Sequence, residues 1–134
     1  MTRRPGRRAL RLASYLRHIV EAIGRIRAYT AGIAEDDFSR RPMIQDAVIR
    51  NFEVIGEACR NVLLHHGEFA AAHVAVPWHL AYETRNALAH GYFEVDLARV
   101  WATIHADLPG FEAQVVTLLD TLDATPSNGQ SGVQ

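Results

Sequence analysis

Apolar residues recur every three or four positions over three long stretches of this chain, and that rhythm restricts the fold more than any other feature. Leu12, Leu16, Ile19, Ile23, Ile26, Thr30 and Ile33 form the first stripe. Ile44, Val48, Phe52, Ile55, Cys59 and Val62 form the second, and Leu97, Trp101, Ile104, Leu108, Phe111, Val115, Leu118 and Leu122 the third. Steps of three and four put side chains on one face of an α-helix, whereas a half-buried strand needs strict alternation. Nothing in the chain argues for strands. The expected fold is all-α, an antiparallel bundle of four main helices near residues 9–31, 42–66, 77–90 and 97–123.

Local signals set the boundaries. Gly32 ends or loosens the first helix, Pro42 fits the first turn of the second, and Gly67 reads as its stop. Residues 69–76 are Ala-rich and ambiguous, with room for one short helical turn. Pro77 opens the third helix, Gly91 caps it, and Asp96 is a good N-cap for the last. Pro109-Gly110 interrupts the backbone of that last run without breaking its pattern, so it reads as one kinked helix or two abutting ones. Residues 1–7 form a basic arm, 8–123 the helical domain, and 124–134 a polar, disordered tail.

At 134 residues the chain is one domain with enough length for a core. Its net charge of -1 supplies no global field toward nucleic acid or membrane. The charge is uneven, however. Arg3, Arg4, Arg7, Arg8 and Arg11 precede the first acid, Glu21, which suits either an RNA-binding arm or a solvated terminus. All basic residues are arginine and lysine is absent. A single cysteine, Cys59, excludes an intramolecular disulfide and points to a reducing cytoplasm. No apolar run reaches membrane-spanning length.

The chemistry concentrates in Arg85-Asn86-Ala87-Leu88-Ala89-His90-Gly91-Tyr92. On a helix, Arg85 and His90 stand about 140° apart and roughly 7.5 Å along the axis, a gap an arginine spans. Both could reach one phosphate, Arg85 as a permanently charged fork and His90 as a proton carrier. Asn86 lies one turn before His90. Leu80, Ala81, Thr84, Ala87 and Leu88 fall on the core side of this helix, and Trp78, Tyr82 and Arg85 on the opposite side. Trp78 and Tyr82 there could stack on splayed bases or fill a dimer interface. Asp46, Arg50, Glu53, Glu57 and Arg60 make a salt-bridge ladder on the second helix, from which Glu57, beside Gly56, could instead face the active cleft. His79, Glu83 and His90 share a stripe that could hold zinc, but they lack the H-E-x-x-H spacing, and no metal or other cofactor is expected.

Several pieces occur in an order that resembles the HEPN superfamily, and within it the HepT-like toxins. They are Ile55-Gly56-Glu57-Ala58, Pro77-Trp78, Arg85-Asn86 with His90-Gly91-Tyr92, Asp96, Trp101 and Leu108-Pro109. The resemblance covers roughly residues 8–122. It implies a metal-independent endoribonuclease, the toxin of a type VII-like toxin–antitoxin pair, acting as a homodimer with its two motifs facing each other. Arg85 and His90 would then be catalytic and Asn86 supporting. Tyr92 would be the residue nucleotidylated by a small nucleotidyltransferase antitoxin. The alternative is a non-catalytic nucleotide-binding or adaptor subunit of a nucleotidyltransferase complex.

Overall fold

The structure, a computed structural model, describes residues 6–79 and 96–124. It is built from α1 (Arg7–Thr30), α2 (Glu35–Phe38), α3 (Pro42–His65), α4 (Gly67–Ala72), α5 (Leu97–Ala106) and α6 (Leu108–Ala124). Among the described residues there is no strand. The all-α, HEPN-like bundle expected from the apolar rhythm is the observed architecture. No helix among the described residues is long and apolar enough to cross a membrane. The expected third helix falls mostly on residues outside the description; of it Pro77, Trp78 and His79 are described, the last two helical.

α1 is the spine. Its stripe residues Leu12, Leu16, Ile19, Ile23, Ile26 and Thr30 are all buried, and Ile33 packs against the same core. One flank packs on α3 and the other on α6. Both neighbours run antiparallel to it. Arg8 meets His65 near one end of the α1–α3 pair, while Arg25 meets Asn51 toward the other. Arg17 pairs with Asp123, and Arg27 with Glu112, across α1 and α6. α2 is one turn that drives Phe38 into the core, where its ring lies 5.3 Å from that of Trp101 on α5.

The helix ends follow ordinary capping chemistry, with two departures from expectation. Gly32 takes φ 75, the left-handed turn that ends α1. Pro42 opens α3 from its first turn, where its missing N–H costs nothing. Asp96 caps α5, its Oδ1 accepting from the Arg99 N–H at 3.1 Å. Gly67, expected as a stop, instead begins α4. The chain breaks one residue earlier, at His66 with φ -135 and ψ 46, while its N–H still bonds the Val62 carbonyl. The last run is two helices, and the break falls at Asp107 rather than at Pro109. Proline cannot donate to the carbonyl four residues back, and its ring crowds that carbonyl. The helix therefore ends before it, and Pro109 sits in the first turn of α6. Val100, outside the expected stripe, is buried on α5, whereas Leu97 and Trp101 are only partly covered.

Cys59 is fully buried, and burial pushes its thiol up to about 12, so it behaves as a small hydrophobe. Leu16 is completely enclosed at the centre of α1. Leu16→Ala should cost about 2–5 kcal/mol. Urea unfolding should show a lower midpoint at an unchanged slope.

Candidate functional site

The Arg85–Tyr92 stretch lies outside the described residues, so the catalytic expectation for Arg85 and His90 and the roles given to Asn86, Tyr82 and Tyr92 do too. The zinc stripe falls there as well, apart from His79. What the structure supplies is the frame on either side. Gln114 on α6 donates to the Ala75 carbonyl at 2.9 Å and ties the turn before Pro77 to the bundle. Trp78 Nε1 donates to the His73 carbonyl at 3.2 Å, and its ring lies 6.3 Å from Phe69 on α4. On the far side, the Asp96 cap starts α5. The described chain thus reaches the motif segment from a tethered tryptophan and resumes after it at a capped helix.

Trp78 itself corrects the sequence reading. The helical wheel put it away from the core with Tyr82 and Arg85, as an RNA or dimer contact. It is 3% exposed and belongs to the core cluster. A wheel assigns faces by angle alone, but Trp78 stands at the start of its helix, where the folded-back 73–76 turn and α4 enclose it. Its indole N–H is satisfied by a backbone carbonyl, which is what a buried tryptophan requires. Trp78 is buried where the wheel had placed it outward, and its ring packs in the core.

Glu57 is exposed on α3 and pairs with Arg60 at 3.7 Å. Arg50 and Glu53 pair similarly at 3.6 Å. Two rungs of the ladder expected on this face are therefore present. Glu57 also lines an open groove between α1 and α3, with Tyr15, His18, Arg50, Glu53 and Asn61. A groove carrying two carboxylates suits a base or a protein surface better than a phosphate. Among the described residues no cluster of His, Cys, Asp and Glu could hold a metal ion.

Two polar residues escaped the sequence reading. Asn51 is 5% exposed; its Oδ1 accepts from Arg25 Nε at 2.8 Å and its amide donates to the Ala47 carbonyl at 2.8 Å. Its signal was a lone amide bordering the Val48–Phe52–Ile55 stripe. His66 fills the break between α3 and α4, 5% exposed, with its ring edge-on to Tyr15 at 5.9 Å. Burial lowers its pKa first, and the positive charges of Arg8, His65 and Arg11 lower it further.

The bundle and its order of elements define the class: an all-α domain of HEPN type. The family profile "Ribonuclease HepT-like" matches residues 19–118, and the chain belongs to that family. It is 37% identical over 100 residues to a Thermococcus cleftensis protein named "Probable ribonuclease HepT", covering 75% of this chain and 88% of the relative. It is 35% identical over 105 residues to a "Putative RNase" of Caldanaerobacter subterraneus, covering 78% and 91%. A Methanocaldococcus jannaschii protein named "Gamma-glutamylcyclotransferase and putative RNase" is 38% identical over 114 residues, 85% of this chain. The match spans 50% of that longer protein's length. No solved structure matches the chain.

If Trp78 is an anchor, Trp78→Ala should cost about 3–5 kcal/mol in urea unfolding, whereas a surface base-stacking residue would change RNA affinity and leave stability alone. His66 gives a pH signature. Its folded pKa lies below the unfolded one, near 6.5, so the unfolded chain binds more protons in that window. The stability it contributes is present above the unfolded value and is lost as pH falls through the folded one. Thermal scans from pH 7.5 to 5 should show Tm falling, with a shallower fall in His66→Gln.

Proposed function

We propose that the chain is a metal-independent endoribonuclease that works as a twofold dimer and serves as the toxin of a toxin–antitoxin pair. As a HepT-like ribonuclease it is an RNA-cleaving enzyme. The finer reading is supported by one observation. The family match runs unbroken from residue 19 to 118, through Arg85, Asn86, His90 and Tyr92. Trp78 and Asp96, each held by a hydrogen bond, stand on either side of this polar stretch.

RNA can be cut by its own 2′-hydroxyl. That oxygen attacks the adjacent phosphorus, the bond to the 5′-oxygen breaks, and a 2′,3′-cyclic phosphate and a 5′-hydroxyl result. One proton leaves the 2′-hydroxyl and one is delivered to the 5′-oxygen. His90 carries a proton, a contribution of about 10²–10⁴-fold. Arg85 holds the charge that builds on the phosphoryl oxygens, and Asn86 orients the pair. One histidine does not readily serve as base and acid together. A second copy related by a twofold axis supplies the other, which makes dimerisation part of the chemistry. Glu57 stands as a supporting residue from α3.

Tyr92 is the point of control in this reading. Its phenolic oxygen attacks the α-phosphorus of ATP on a partner nucleotidyltransferase, pyrophosphate leaves, and the phenol proton is lost. The attached AMP brings a phosphate two residues from His90, where it pairs with Arg85 in the substrate's place.

In EDTA the purified protein should cut single-stranded RNA to cyclic or 3′-phosphate ends. Arg85→Ala and His90→Ala should each lose at least about 100-fold while keeping the parent's Tm. Loss of all cleavage in EDTA would return a metal to the mechanism. Full activity in either folded variant would remove that residue. Co-expression with a nucleotidyltransferase should add AMP mass to the Tyr92 peptide and none to Tyr92→Phe.

A further inference from the structure

The start of α1 carries charge in the wrong place for a helix. Arg7, Arg8 and Arg11 occupy its first two turns, with no acid in the first turn and no side-chain cap at Gly6. The helix dipole is positive at that end, so each arginine there opposes it. All three are exposed. Among the described residues none of them pairs with a carboxylate, although most other arginines of the bundle do.

A second element meets them. Arg8 donates to the His65 carbonyl at 2.8 Å and so caps the C-terminus of α3. That contact brings the α3–α4 junction, with His65 and His66, against the α1 arginines. His66 is 95% buried by its 5% exposure, and its ring has no hydrogen bond among the described residues. The charged groups acting on that ring are Arg8, His65 and Arg11. Two helices thus bring their basic groups to one spot, beside a buried imidazole.

We infer that Arg7, Arg11 and His65, at the α1 start and the α3–α4 junction, form a phosphate-binding surface for the RNA backbone beyond the scissile bond. The inference rests on the reading of the chain as a ribonuclease and adds to it a place where substrate is held. Arg8 is the positioning residue, since its guanidinium joins the two helices. Arg7 and Arg11 supply charge that no carboxylate among the described residues offsets. His66, only 5% exposed, lies behind this surface and feels its charge, so its ring reports an anion bound there. A chain with a net charge of -1 gains an RNA surface only by segregating charge in this way.

The test uses the full chain and a 2′-O-methylated single-stranded RNA, which lacks the attacking hydroxyl and stays intact. Binding is followed by fluorescence anisotropy between 50 and 200 mM salt, with Arg7→Ala/Arg11→Ala compared against the parent. Each lost phosphate contact should lower the slope of log K against log salt by about 0.7, so the double variant should lose about one to one and a half in slope. It should bind roughly 10-fold more weakly at the lowest salt, keep the parent's Tm, and leave the His66 ring resonances less shifted by RNA than the parent does. An unchanged slope and affinity in the folded double variant would overturn the surface while leaving the ribonuclease intact. A parent that neither binds this RNA nor cleaves unmodified RNA would overturn the ribonuclease reading beneath it. If the variant loses binding to phosphatidylserine vesicles but not to RNA, the surface serves a membrane and the inference fails.

Discussion

Everything described in this molecule depends on α1 being buried along one side between two antiparallel partners. Leu16, Ile19, Ala22 and Ile26 are completely enclosed. Each apolar square ångström removed from water contributes about 25 cal/mol, so an enclosed leucine or isoleucine contributes roughly 1.5–3 kcal/mol. Such a spine fixes what can be built around it. The α3 and α6 stripes must face α1, and their polar sides are left for ion pairs at the seams. Those exposed pairs add only about 0.2–1 kcal/mol each, so they set alignment more than stability.

Two hydrogen bonds convert the bundle into a frame for chemistry. Gln114 to Ala75 and Trp78 to His73 hold the turn that precedes Pro77. The Asp96 side chain holds the point where the chain returns. Neither anchor uses a residue from 80–95. These bonds brace the chain on both sides of residues 80–95. Such bracing suits a fold that must satisfy its own buried polar groups before it can present any others.

The helices were legible in the sequence because burial against one spine imposes the three-four period directly. Residues such as Val48, Ile55 and Val115 fell where the period put them. What escaped lies at helix ends, where the period stops carrying information. Trp78 stands seven residues before Arg85 yet belongs to the core, where it packs near α4 and bonds the folded-back turn. Gly67 looked like a cap but starts a helix, because His66 had already broken the chain. His66 left no signal of its own, since its environment comes from Arg8 and Arg11, more than fifty residues away in sequence. At the candidate site the order of motifs was legible, and the family match spans it. Of the residues singled out there, Glu57 and Trp78 lie within the described structure, Glu57 on its salt-bridge ladder and Trp78 inside the core.

The burial of Trp78 also changes what a dimer face could be. With Trp78 as the aromatic centre, an interface would draw its energy from one large desolvated ring, as interface hot spots commonly do. That ring is already spent inside the subunit. In the proposed dimer a twofold contact near the motif would rest on residues other than Trp78, and its polar contacts would depend more on geometry than on area. An association of that kind is easier to perturb by adding one charged group beside it. In the proposed scheme a nucleotidyl phosphate on Tyr92 does this. It enters the anion site, and it also places negative charge near the seam on which the two copies depend. One modification would then act on substrate binding and on assembly together, without any change to the core around α1.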